Sequence, residues 1–166
     1  INAYHMDEYI GLAKDAPQGF GNYLAEHIFN LVPFKSVNYI YDETKTPEEI
    51  CEYYEKLLID NPTDIIFIGV GENGHIAFNE PGSSLTSRTR IKTLTQDTII
   101  ANSRFFNNDI SLVPKTSLTV GVGTIMDAKE VLILVNGHNK ARALYQAVEG
   151  SVNQMWTISV LQMHPK

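Results

Sequence analysis

Two short runs, DIIFIGVG at 64–71 and EVLILVNG at 130–137, are apolar at nearly every position rather than at every second one. A strand with one wet face alternates apolar and polar residues, whereas a strand covered on both faces has no reason to. Both runs therefore read as doubly buried strands. Helical spacing falls around them. In 19–32, Phe20, Leu24, Ile28 and Leu31 recur at helical intervals. The stretch 46–60 has an explicit start, with Thr46 as N-cap, Pro47 at the first helical position and Glu49 three residues after the cap. Its apolar face is Ile50, Tyr54, Leu57 and Leu58. The opening residues and VNYIYD at 37–42 read as further strands, and HNKARALYQAVEG at 138–150 as a helix stopped by Gly150. This repeated alternation predicts an α/β fold of three-layer, Rossmann-like type, a mostly parallel sheet flanked by helices.

The 166 residues suit one domain, 1–166, with 43% hydrophobic and 19% charged residues marking a globular chain. A formal net charge of −6 argues against nucleic acid as a partner and leaves room for a local site for one small anion. The lone cysteine, Cys51, cannot form an internal disulfide, and in EEICEYYEKLL it reads as a buried helical position. No window approaches the roughly 18 apolar residues of a membrane span, and no charged-then-apolar leader opens the chain. A reducing, cytoplasmic setting without a membrane partner is the expectation.

In parallel sheets ligands gather beyond the carboxyl ends of the strands. Three features fall there: Asp7 and Glu8 at the end of the first strand, GVGENGHIAFNEPG (69–82) after the third, and GHNK with Lys140 after EVLILVN. Gly69, Gly71 and Gly74 match a GxGxxG spacing, but Pro81 and Gly82 stop any helix after it, and a dinucleotide site needs that helix. A turn would need only the glycines. His75 followed by Glu80 adds a proton-transfer pair, since a carboxylate can orient one ring nitrogen and leave the other free. His75 as an ordinary loop-stabilising histidine is the competing reading, and Asp7 and Glu8 equally suit surface acids. His5, Asp7, His75 and Glu80 are metal-ligand types, yet their spacing matches no metal motif.

HMDEYIGL, GVGENGHIAFNEPGSSLTSRTRIKTLTQDTIIANSRFF, LTVGVGTIMDAKEVLILV and VNQMWTISVLQMHP together resemble the glucosamine-6-phosphate deaminase (isomerase) family over nearly the whole chain. The related phosphogluconolactonases share the fold, and IAFNEP after the Gly-His pair favours the deaminase branch. The resemblance implies conversion of glucosamine 6-phosphate to fructose 6-phosphate and ammonia, without metal or redox cofactor. By the same resemblance Asp7 matches the base that shuttles a proton between C2 and C1. His75 matches the ring-opening acid/base, oriented by Glu80, with glycines allowing the backbone close to the sugar. Arg104 and Lys140 match phosphate-holding residues, and the polar stretch 94–114 matches a mobile lid. Ser84, Arg90 and Lys92 match residues that in some members bind N-acetylglucosamine 6-phosphate, an activator, between subunits of a homo-oligomer, a hexamer. SRTRIK equally suits a solvated edge strand.

Family members carry a further βα portion before the segment matched here and another strand and helix after it, so the chain is expected to be part of a longer catalytic domain. The alternative is a non-catalytic sugar-phosphate-binding or regulatory module of the same fold. One position departs from the family: Asn73 stands where many members have aspartate. An amide hydrogen-bonds the imidazole without offsetting its charge, so an Asn73→Asp variant is expected to keep His75 protonated to higher pH, followed by its ring-proton NMR shifts.

Overall fold

The computed structural model describes residues 1–166. Its strands are β1 (Asn2–Tyr4), β2 (Asp7–Tyr9), β3 (Ser36–Asn38), β4 (Ile65–Gly69), β5 (Arg90–Thr93), β6 (Thr116–Thr119) and β7 (Glu130–Leu134). The helices are α1 (Phe20–Leu24), α2 (Pro47–Asp60), α3 (Gln96–Asn102), α4 (Val122–Met126) and α5 (Ala141–Val148). A run of 3-10 turns, Thr157–Met163, follows α5.

α2 starts as its sequence dictates. Thr46 Oγ1 accepts from the Glu49 amide at 3.3 Å, and the Glu49 carboxylate accepts from the Thr46 amide at 2.8 Å. Ile50, Cys51 and Tyr54 form its buried face, with Leu57 and Leu58 packed beside them. The helix expected over 19–32 is shorter. After α1 the chain widens into a π-helical turn, Ala25–Phe29, and Phe29 meets Phe34 and Tyr39 edge-on, at 5.9 and 5.7 Å between ring centres. The strand expected at 37–42 ends at Asn38. There the Tyr54 hydroxyl, with the Asn38 carbonyl 2.9 Å away and the His5 carbonyl 2.7 Å away, occupies acceptors at the end of the β1–β3 ladder.

The sheet differs from the expected single, mostly parallel one. Three small sheets form: β1 with β3, parallel; β4 with β7, parallel; and β2–β6–β5, antiparallel throughout. A parallel pairing needs a crossover that carries the chain back to the far end of the strand. Between β5 and β6 the chain instead folds α3 and two 3-10 turns over one end and re-enters there, so β6 runs back antiparallel. Asp7 accordingly opens β2, a strand separate from β1, rather than ending the first strand.

Of the double cover expected for the apolar runs, these 166 residues supply one face. Ile66, Ile68, Val131 and Ile133 face the main core with Ile40, Tyr54, Ile76 and Leu118. On the opposite face Ile65, Phe67, Leu132 and Leu134 are exposed, Phe67 by 59% and Leu134 by 61%. A second cluster of Tyr9, Phe78, Leu94, Ile99, Phe106 and Val113 lies under the 94–114 segment, which is thus tied down by four apolar side chains of its own. These two faces of β4 are expected to separate in urea unfolding: Ile68→Ala should cost about 2–4 kcal/mol, and Phe67→Ser within about 0.5 kcal/mol.

Candidate active site

The largest cleft, about 1060 Å³, opens where the ends of β2 and β4 meet α3 and the start of α5. Asp7, Asn73, His75, Arg104 and Lys140 all line it. The structure therefore brings together candidates that lie up to 133 residues apart in sequence, Asp7 and Lys140.

His75 sits on the loop after β4. Its Nδ1 lies 2.7 Å from Asn73 Oδ1 and 3.3 Å from Glu80 Oε2, both acceptors, which assigns the proton to Nδ1 and leaves Nε2 without a protein partner. Asn73 also donates through Nδ2 to Glu80 Oε2 at 3.2 Å, a bond that an aspartate could make only if protonated. The glycines of this loop make room for rings. A Cβ on Gly71 would lie 2.4 Å from the His75 imidazole, and one on Gly74, where φ is +81°, would lie 2.3 Å from the Trp156 ring. No helix follows Gly74, as Pro81 and Gly82 require.

Glu80 is 1% exposed and sits behind His75 rather than in the cleft. Burial disfavours its charge, but hydrogen bonds and charge from His75, with hydrogen bonds from Thr98 and Asn73, outweigh that and hold the carboxyl down at about 2. The Thr95 amide adds a bond to Glu80 Oε1 at 3.2 Å, joining the N-cap of α3 to the histidine loop. Asp7 is the opposite case. Burial, reinforced by the neighbouring charge of Glu8, pushes its carboxyl up to about 7. Glu8 points the other way, as adjacent strand residues must. It accepts from the amides of Tyr9, Phe20 and Gly21 and so anchors the start of α1.

Arg104 lines the cleft from the turn after α3, its guanidinium over the Phe105 ring at 4.7 Å. Burial lowers the Lys140 ammonium, Glu72 works against that, and Arg104 adds to it, so the two cations feel one another. His5 lies outside this cleft. It is 1% exposed, burial pushes it down to about 4, and it lines a separate cavity beside Tyr39, so the four metal-ligand types of the sequence do not converge. Ser84, Arg90 and Lys92 also stand apart from the cleft. Ser84 is exposed and hydrogen-bonds Thr86, whereas Arg90 and Lys92 lie in β5. Sequence inspection passed over Asn79, Thr157, Trp156 and Arg142. Asn79 and Thr157 are wholly buried and fix the loop, and Trp156 and Arg142 line the cleft.

Residues 2–165 match the family described as glucosamine-6-phosphate isomerases/6-phosphogluconolactonase. The chain is 59% identical to a glucosamine-6-phosphate deaminase of Parabacteroides distasonis and 58% identical to that of Bacteroides thetaiotaomicron, in each case over its whole length and 63% of the relative's. It thus spans less than two thirds of those curated relatives. Among solved structures it is similar to a monomeric glucosamine-6-phosphate deaminase, with a TM-score of 0.93 and 36% identity, covering 100% of this chain and 70% of that one. A 6-phosphogluconolactonase of Trypanosoma brucei shares the fold at a TM-score of 0.73 and 18% identity, over 98% of this chain and 67% of that one. The chain belongs to the glucosamine-6-phosphate isomerase/6-phosphogluconolactonase family.

Because Glu80 is held well below its ordinary value, its stabilising contribution is complete above about pH 4.5 and is lost as pH falls towards about 2. Glu80→Gln is expected to lower stability at pH 7 and to flatten the acid limb over that window, measured by urea midpoints from pH 7 to 2.

Proposed function

We propose that the cleft converts glucosamine 6-phosphate and water to fructose 6-phosphate and ammonia, as the activity of the catalytic unit to which these residues belong. The observation that carries this is the pairing, in one cleft, of a carboxyl raised to about 7 with an imidazole nitrogen left free, beside Arg104 and Lys140. Isomerisation needs a base that takes a proton from C2 and gives it to C1, and Asp7 is poised for both halves because its proton affinity matches neutral pH. His75 Nε2 takes the proton of the ring hydroxyl and delivers one to the ring oxygen as the sugar opens. Glu80 and Asn73 hold the ring in that tautomer. Water then hydrolyses the imine and ammonia leaves. Arg104 offers a fork to two phosphate oxygens and Lys140 a point charge.

The 94–114 segment contributes Asp97, Thr98, Asn102 and Arg104 to the cleft wall, which supports its role as a cover over the enolic intermediate. Activation by N-acetylglucosamine 6-phosphate in a hexamer belongs to the same proposal. Supporting it, Arg90 Nη2 and Ser83 Oγ are buried without partners, and burial lowers both Arg90 and Lys92, as expected of cations awaiting an anion. A cytoplasmic setting rests on the single buried, free Cys51; no helix is long and apolar enough to cross a membrane.

Ammonia release from glucosamine 6-phosphate tests the function. The rate should rise with pH through about 7 as Asp7 ionises, and Asp7→Asn should lower it by about 10² to 10⁴-fold. A raised carboxyl also costs folded stability as pH climbs from its ordinary value to about 7, so the same variant should be more stable than the parent at pH 8. Tight binding of the sugar phosphate with no ammonia released would favour the regulatory module instead.

A further inference from the structure

Beyond the two cations matched by resemblance, Arg142 lines the same cleft, two residues after Lys140. Its guanidinium lies over the ring of Trp156, 5.2 Å from the ring to Cζ. This mount is rigid. Trp156 packs against Gly74, where any side chain would collide with it. The next residue, Thr157, is wholly buried and donates to the Asn79 carbonyl at 2.8 Å. A guanidinium stacked on such a ring keeps its N–H edge free and loses less freedom on binding than a loose side chain.

The charge of the cleft also calls for it. Glu72 and Asp97 line the wall together with Asp7, against Arg104, Lys140 and Arg142. Without Arg142 two cations would face two exposed acids and a third carboxyl that ionises near pH 7, within a chain of net charge −6. A dianionic ligand would then enter a cleft with no positive excess.

We propose that Arg142, held on Trp156, is a third phosphate-contacting cation of this cleft and sets its affinity for phosphorylated ligands. This rests on the sugar-phosphate reading above. The test is calorimetric titration of the 166-residue chain with inorganic phosphate and with glucosamine 6-phosphate, at several salt concentrations. Arg142→Met, which keeps an apolar stem for the Trp156 ring, should weaken both ligands about tenfold and make the salt dependence shallower. Arg142→Lys should recover part of the loss. Trp156 is the only tryptophan, so its emission should shift when phosphate binds the parent and not in Arg142→Met. Equal affinities in parent and Arg142→Met would overturn the inference while leaving the cleft's role intact. A loss that Arg142→Lys does not recover, accompanied by a lower unfolding midpoint, would also overturn it by showing a packing role. A parent that binds neither ligand would overturn the inference for this chain, while the sugar-phosphate reading would stand or fall by ammonia release from the whole catalytic unit.

Discussion

The side chain of Asn79, wholly buried, is the point from which the site hangs. Its Nδ2 donates to the carbonyls of Ile76 and Val120, both at 2.9 Å, and its Oδ1 accepts from Arg90 at 2.9 Å. One amide thus joins the histidine loop to itself, to the end of β6 and to β5. Thr157 closes the opposite side by donating to the Asn79 carbonyl. A loop with Ala77 at φ 48° and Gly74 at φ +81° cannot rest on a regular ladder, so its backbone groups find side-chain partners instead. An apolar residue at 79 would remove three bonds at once, leaving the Ile76 carbonyl to the residue 79 amide, the Val120 carbonyl to the Thr119 hydroxyl and the Arg90 guanidinium to the Arg88 carbonyl; each lost bond costs about 0.5–1.5 kcal/mol.

On this frame the chain sets two carboxyls to opposite states within one neighbourhood. Glu80 accepts bonds from His75, Asn73 and Thr95 and stays ionised in spite of burial. Asp7 has burial without comparable donors and is pushed up to about 7. Glu80 is the deeper of the two, for Asp7 borders the cleft, so donors and not depth decide which one holds a proton. The fold carries an ionised Asp7 at a cost in stability, which is consistent with the role proposed for it.

What the sequence made legible was local. The capping box of α2 needs only Thr46, Pro47 and Glu49, and it forms as the spacing dictates. The pairing of His75 with Glu80 was legible for the same reason, five residues on one loop. Strand direction was not, because it depends on which end the chain re-enters, and the return over α3 turned the β5–β6 pair antiparallel. Nor was the open face of β4 and β7: these 166 residues, 63% of the length of the curated relatives, leave it uncovered, and apolar composition says only what a face prefers. The glycines were legible as close-approach points, but not what approaches. Trp156 reaches Gly74 from 82 residues away, and no local pattern records that contact.

Asn73 shows how far one such position can alter the balance of a site. It accepts from His75 and donates to Glu80, so a neutral amide bridges an imidazole and a buried carboxylate that also meet directly at 3.3 Å. An aspartate there would set a second carboxylate against the first, and the pair would ionise together only with a charged imidazole between them. With asparagine, the amide proton bonds Glu80 in either state of His75, so one of the smaller contributions that keep the carboxyl ionised does not depend on the imidazole. The Asn73 carbonyl oxygen accepts from Nδ1, which carries a proton in the neutral tautomer and in the imidazolium alike, so this orienting bond survives a change of protonation at Nε2. The proton transfer proposed for His75 would be well served by a neutral partner that holds the ring in place, and the geometry around Asn73 supplies one.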